Sequence, residues 1–309
     1  MKKSLSNLLF LIATVIWGFA FVAQKAAAVI PAFTVGAVRS LFAVLFLLLI
    51  IPITDRLTKS GRRLLSRERG LDFNRKEIIG GIILGIILVT ASAFQQIGIE
   101  SADAGKVAFI TALYVVLVPI LSAFFGKRPS INAIISVPIA VLGFYFLCIK
   151  PVASLEAADL LVLACAIIFT CHIITVDRLS PGCDGFRMSF VQFTTAFLLN
   201  SVIALIFERP ISFSAIGTEL LSLLYLGILS SGIAYTLQIV GQKDADPTVA
   251  AIILSLESVF GVIGAALILG EKMTAREYIG CAIVFVAILI SQLDIFSLIK
   301  QFKTKNKDN

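Results

Sequence analysis

Residues 250–271 read AAIILSLESVFGVIGAALILGE, an apolar run broken near its middle by one carboxylate, Glu257. At a rise of ~1.5 Å per residue such a run crosses the hydrocarbon core of a bilayer. Glu257 then sits at roughly mid-membrane depth, where a charged side chain costs on the order of 2.5–3.5 kcal/mol or more. A residue kept at that cost is expected to face a cavity or a partner, not lipid. A weaker copy of the stretch lies at residues 107–127, VAFITALYVVLVPILSAFFGK. The two align at a constant offset, with Tyr114 on Ser258 and Gly126-Lys127 on Gly270-Glu271. The pairing predicts a duplicated membrane protein with its functional centre between two related halves.

Composition agrees. The chain has 309 residues, 59% of them hydrophobic and 15% charged, and a mean hydropathy of +1.01. Soluble domains are about 45–50% apolar and about 25% charged. The excess lies in runs near the length of a membrane span, which points to an all-α integral membrane protein. The net charge of +7 gathers in particular loops, as membrane orientation requires, and is no nucleic-acid footprint. Cys148, Cys165, Cys171, Cys183 and Cys281 form no CxxC pair and read as small buried hydrophobes. With a single histidine, His172, there is little from which to build a metal site, and no cofactor is expected. The chain lacks GxxxxGK[ST] and HExxH, and offers no Ser-His-Asp arrangement.

Ten apolar runs follow one another, at 7–26, 32–53, 77–98, 105–126, 131–150, 156–177, 186–207, 218–240, 247–269 and 276–295. The opening run resembles a signal peptide, but its length and its counterpart in the second half mark it as an uncleaved first span. The one long connection, 54–76, carries eight Lys/Arg. With the N-terminus inside, nineteen Lys/Arg fall on inner segments and six on outer ones. That bias puts both termini in the cytoplasm.

Spans 1–5 align with spans 6–10. Trp17-Gly18 falls on Phe169-Thr170, Arg39 on Gln192, Leu84-Gly85 on Leu226-Gly227 and Gln96 on Gln238. Five is odd, so the second repeat enters the membrane in the opposite direction, the layout of many secondary transporters. The predicted domains are residues 1–150 (with the basic loop 54–76) and 151–297, each a five-helix repeat, followed by a basic tail at 298–309.

Several short motifs carry a resemblance. They are Trp17-Gly18-Phe19, Arg39, Gly98 with Ala102-Asp103-Ala104-Gly105, Phe109 to Tyr114 through Pro119, and Leu269-Gly270-Glu271-Lys272. In this order the chain resembles the EamA type of the drug/metabolite transporter superfamily, over nearly its whole length. The resemblance implies a cavity lined by spans 1–4 and 6–9, with spans 5 and 10 peripheral. It also implies export of metabolites or amino acids. Members with a Leu-Glu-Pro form of span 9 carry proline where this chain has Ser258, which leaves the kink of span 9 open; Pro119 is available to kink span 4.

Glu257 is the sharpest candidate, to bind an amino group or to exchange a proton, since low dielectric favours a carboxylate's neutral form. The alternative is a structural glutamate between helices. Arg39 suits an anionic group on a substrate, or else pairs with a neighbouring helix. Lys25 reads as interfacial. Gln24, Gln95 and Gln96 in the outer third, and Gln192 and Gln238 in the inner third, hint at two polar vestibules; helix-to-helix hydrogen bonds are the plainer account. His172 is a possible proton relay, or a neutral hydrogen-bonded helix residue. Trp17, Phe19, Thr111, Tyr114 and Tyr235 are candidate cavity walls or ordinary packing. Gly81-x-x-x-Gly85, Gly227-x-x-x-Ser231 and Gly261-x-x-x-Ala265 permit close helix approach.

The reading is a secondary transporter of small organic metabolites, working by alternating access in the plasma (inner) membrane. Its partners are a small-molecule substrate and the lipid bilayer, and a homodimer is left open. A membrane-embedded enzyme, or a sensor or scaffold of transporter ancestry, is the alternative.

Overall fold

The computed structural model describes residues 3–59, 72–124, 131–148, 156–243, 245 and 247–292. The centre of the basic loop (60–71), the turn 125–130, the link 149–155 and the tail from 293 onward lie outside the described residues. So the charge-based orientation and the basic tail rest on sequence.

Every element among the described residues is helical. In chain order they are α1 (Lys3–Ala26), α2 (Ala32–Lys59), α3 (Arg75–Ser101), α4 (Ala104–Thr111), α5 (Tyr114–Phe124), α6 (Ile131–Cys148), α7 (Ala157–Leu179) and α8 (Gly185–Phe207). There follow α9 (Phe213–Thr218), α10 (Leu220–Leu224), a π-helical stretch (Tyr225–Ala234), α11 (Tyr235–Gln242), α12 (Pro247–Ser255), α13 (Glu257–Gly264), a second π-helical stretch (Ala265–Leu269) and α14 (Ala275–Gln292). In hydrocarbon each backbone N–H and C=O must find its partner within the chain, and apolar runs do so as helices. Eight stretches among the described residues are long and apolar enough to cross a membrane. Helices α6 and α14 pack on each other and meet the rest chiefly through α5 and α12.

Unlike a water-soluble protein, the bundle is apolar on its surface as well as in its core, and buries polar side chains between its helices. Leu49, Phe207, Leu221 and Leu267 are 69–82% exposed, while Gln24, Gln95, Gln192, Gln238 and His172 are buried. Such an apolar surface is unsuited to water and suited to lipid.

Two spans are broken near their middles. Helix α4 ends at Thr111 and α5 starts at Tyr114. In the second half α12 ends at Ser255 and α13 starts at Glu257. The hinge residues Ala112 (φ −62°, ψ −9°) and Leu256 (φ −61°, ψ −12°) share one conformation. In the register that sets Tyr114 on Ser258 they are equivalent positions. Pro119 lies downstream of the first break, inside α5, so that break does not coincide with the proline. The second forms with no proline: Ser258 Oγ donates to Ser255 O at 2.8 Å, a back-bond that bends helices. Backbone bonds there run Leu256 N–H to Ile253 O, and Val259 and Phe260 N–H to Leu256 O, passing over Ser258. Ser258→Pro, which removes an N–H absent from these bonds, is therefore expected to leave the melting temperature of purified protein close to the wild-type value.

Close packing sets the angle at which Glu257 enters the bundle. A Cβ on Gly18 of α1 would collide with Phe260 Cβ and crowd Glu257 O at 3.0 Å. Gly18→Val is expected to displace α13 and to lower thermal stability by about 1–3 kcal/mol, read from unfolding in detergent. The small-residue pairs behave as expected, with Gly85 against Gln192 O, Gly227 against Arg39 O and Gly261 against Ala108.

Ion pairs and carboxylate caps hold the ends. At the end of the bundle where α1 begins, Asp55 at the foot of α2 pairs with Arg187 of α8 at 2.6 Å. Asp184 caps α8 through the N–H groups of Phe186 and Arg187, and Glu77 of α3 accepts from Asp184 N–H at 2.7 Å. At the opposite end Glu208 accepts from Phe33 and Thr34 N–H and from the Thr34 hydroxyl. In the register that sets Arg39 on Gln192, Thr34 falls on Arg187 and Asp55 on Glu208. Helices α2 and α8 are thus clamped at both ends by equivalent positions.

Candidate functional site

The two broken spans bring polar groups to the middle of the bundle. Thr111 and Tyr114 flank the first break and Glu257 follows the second; all three line one cavity with about 480 Å³ of space free of atoms. Trp17, Gln24, Arg39, Gln95, Phe169, His172, Ser230, Tyr235 and Gln238 share its wall.

Ten of the residues singled out from sequence therefore meet in one place: Trp17, Gln24, Arg39, Gln95, Thr111, Tyr114, His172, Tyr235, Gln238 and Glu257. Gln96 does not. Its amide donates to Gln24 O at 3.1 Å, and its neighbour Gln95 lines the cavity instead. Consecutive helix residues point about 100° apart, so only one of the two faces inward. Lys25 is held by the carbonyls of Ile99, Glu100 and Ala102 at the end of α3, a favourable place for a cation.

Arg39 is buried and bonded only to neutral groups. Its Nε donates to Ser231 Oγ at 3.0 Å and its Nη2 to Ser230 Oγ at 3.1 Å. Both serines belong to the π-helical stretch of the second half. The same stretch accepts the Trp17 indole N–H at Ser230 O, 3.2 Å away. The serines orient the guanidinium without neutralising it. No carboxylate pairs with Arg39 among the described residues.

Glu257 is 5% exposed. No Lys, Arg or His pairs with it among the described residues. The Tyr114 hydroxyl lies near its carboxylate but outside hydrogen-bonding geometry. A guanidinium and a carboxyl group thus line one cavity, neither of them ion-paired among the described residues.

Tyr235 is the hub of the aromatic wall. Its ring packs on Trp17 at 4.6 Å, on Phe193 at 5.6 Å and on His172 at 5.9 Å. His172 Nε2 lies 3.3 Å from Gln192 Oε1, and Nδ1 has no partner among the described residues. The glutamines do not form two open vestibules. Gln24 Nε2 donates to Gln95 Oε1 at 2.9 Å, and Gln95 Nε2 to the Thr111 hydroxyl at 3.2 Å, knitting α1, α3 and α4 together.

Charged groups whose meeting the sequence did not show tie down the start of α4. Lys106, counted from sequence among the outer-end residues, is buried in the first turn of α4. It pairs with Asp159 of α7 at 2.7 Å. Gly270 ends its helix in the left-handed conformation, φ 67°. The carboxylate of Glu271 then caps Ala104 and Gly105 N–H at 2.9 and 3.2 Å. The signal for these contacts was the presence of Lys and Asp just inside apolar runs; nothing local says that they meet.

The sequence profile of the EamA-like transporter family matches residues 4–149 and 156–293. An uncharacterized transporter from Archaeoglobus fulgidus is 28% identical over 300 residues, 95% of this chain and 88% of that protein. A protein of known crystal structure superposes with a TM-score of 0.69 at 18% identity, over 94% of this chain and 96% of that one; at that identity the likeness speaks to the fold alone. The motifs, the apolar surface and the profile match across both halves agree, and the chain belongs to the EamA-like transporter family.

Proposed function

We propose that this chain is a secondary transporter for small organic solutes bearing both an amino group and a carboxylate. One observation carries the substrate class: Arg39 and Glu257 face the same cavity, and neither has a counter-ion among the described residues. A substrate carboxylate meets Arg39 and a substrate ammonium meets Glu257, so one zwitterion satisfies both at once. The aromatic rings of Trp17, Tyr235 and Phe169 supply apolar walls for the carbon skeleton.

The mechanism we assign is alternating access of two inverted five-helix repeats, ten spans in all, in the plasma membrane with both termini cytoplasmic. Three features support it. The backbone breaks at Ala112 and Leu256 are equivalent in the sequence register. The clamps Asp55–Arg187 and Thr34–Glu208 are equivalent as well. The cavity draws on both halves, from Trp17 to Tyr114 and from Phe169 to Glu257. Export is the direction proposed, as the resemblance implies.

The test is uptake by vesicles containing the purified protein, with labelled neutral amino acids, monocarboxylates and primary amines, each with and without a pH gradient. Amino-acid flux well above that of either single-charge series is expected. Equal flux for all three series defeats the substrate assignment, and no flux at all defeats the transporter reading.

A further inference from the structure

The neutral polar groups on the cavity wall fall into two sets. Gln24, Gln95 and Thr111 bond to one another, and Ser230 O accepts the Trp17 indole N–H. The Tyr114 hydroxyl, Nδ1 of His172 and Oε1 of Gln238 are buried and find no hydrogen-bond partner among the described residues. Tyr114 lies near the Glu257 carboxylate and so belongs with the charged side of the cavity. His172 and Gln238 both flank the Tyr235 ring. The imidazole lies 5.9 Å from it between centroids, and Gln238 follows Tyr235 one turn along the same face of α11.

Three physical points bear on this second set. A buried polar group without a partner is costly, so one kept on a cavity wall points to a partner from outside the protein. A carboxamide both donates and accepts, and Nδ1 of a neutral imidazole does one or the other according to tautomer. A hydroxyl answers either case and brings no charge to desolvate. Space sets the size of what carries it. The 480 Å³ free of atoms includes the open mouth, and the part within the walls has room for about three water molecules. A compact solute fits there and a long side chain does not.

We propose that His172 and Gln238 are a specificity-determining pair that reads a hydroxyl on the substrate. The solute is then a compact zwitterion with a hydroxyl-bearing side chain. Arg39 takes its carboxylate, Glu257 its ammonium, and the imidazole and carboxamide its hydroxyl. The proposal rests on the zwitterion reading for the two charged ends and adds a neutral third contact. An analogue without the hydroxyl leaves both side chains unmet or met only by water, which is how a site built to bond a hydroxyl rejects the analogue lacking it.

The chain has a single tryptophan, and it lines the main cavity, so binding to the purified protein is readable from Trp17 fluorescence without transport. Two probe pairs differ by a hydroxyl alone: serine with alanine, and β-hydroxypropionate with propionate. Wild type is expected to bind serine about 10-fold or more tightly than alanine. Gln238→Met keeps the length of the side chain and breaks no hydrogen bond among the described residues. It is expected to bring the serine-to-alanine affinity ratio close to one while alanine binding holds, a change that a merely structural role would not produce. His172→Phe keeps the ring and is expected to lower the same ratio, which answers the question should Gln238→Met fail to fold. A hydroxyl preference seen only between the two acids without an ammonium, and lost in the variants, upholds the pair while removing the zwitterion reading. Serine and alanine bound equally by wild type, or a serine preference that both variants keep, overturns the pair and leaves the zwitterion reading standing. No binding by any probe overturns both.

Discussion

On the proposed zwitterion reading, Glu257→Gln is expected to lower amino-acid uptake by reconstituted vesicles about 10- to 100-fold, because a hydrogen bond to a charged group is worth roughly 1.5–3 kcal/mol. Glutamine keeps the shape and one acceptor oxygen, and replaces the other oxygen and its charge with a neutral NH2 donor. The ammonium of the substrate then loses its counter-ion in a site where water cannot replace it. Folding is expected to survive, and for a specific reason. No protein cation pairs with Glu257 among the described residues, so the substitution orphans no buried charge. The melting temperature should hold or rise, since an uncompensated buried carboxylate is itself destabilising. If Glu257 also exchanges the coupling proton, the residual flux of the variant no longer responds to a pH gradient that accelerates the wild type. Wild-type uptake by the variant would sink the assignment. A variant that fails to insert would instead mark Glu257 as structural.

Lys106→Met is expected to act in the opposite manner, on stability before transport. It leaves Asp159 fully buried in α7 with no cation, and breaking a buried pair on one side costs about 3–5 kcal/mol. The double variant Lys106→Met/Asp159→Leu removes both charges and is expected to recover most of that loss. Thermal unfolding in detergent measures each. The pair joins α4 to α7, the first half to the second, at the end where Glu271 also caps the α4 N-terminus. A double variant that is stable yet altered in flux would show that the ion pair also acts as a latch. A single variant as stable as the wild type would show that the pair contributes nothing to the fold.

These two outcomes depend on different kinds of information. The cost of Glu257 was legible in the stretch 250–271, because a carboxylate inside an apolar run is a local fact. Arg39 was legible for the same reason, though its two readings stayed open until the structure set it against Ser230 and Ser231. Lys106 and Asp159 carried no such mark. Each lies in the first turn of its helix, where charged residues are ordinary, and only the packing of α4 on α7 brings them together. Gln95 and Gln96 differ by a single step around α3, and packing alone chose which faces the cavity.

The sequence by itself determined the all-helical membrane character and the approximate ends of the apolar helices. Run length and charge placement are additive along the chain and need no partner to be read. Only the tertiary structure decided the rotation of each helix about its axis and the break of span 9 at Leu256 without a proline. A helix that is apolar all round carries little record of which face points inward. That choice falls to close contacts such as Gly18 on α13, and with it the question of which polar groups share one cavity.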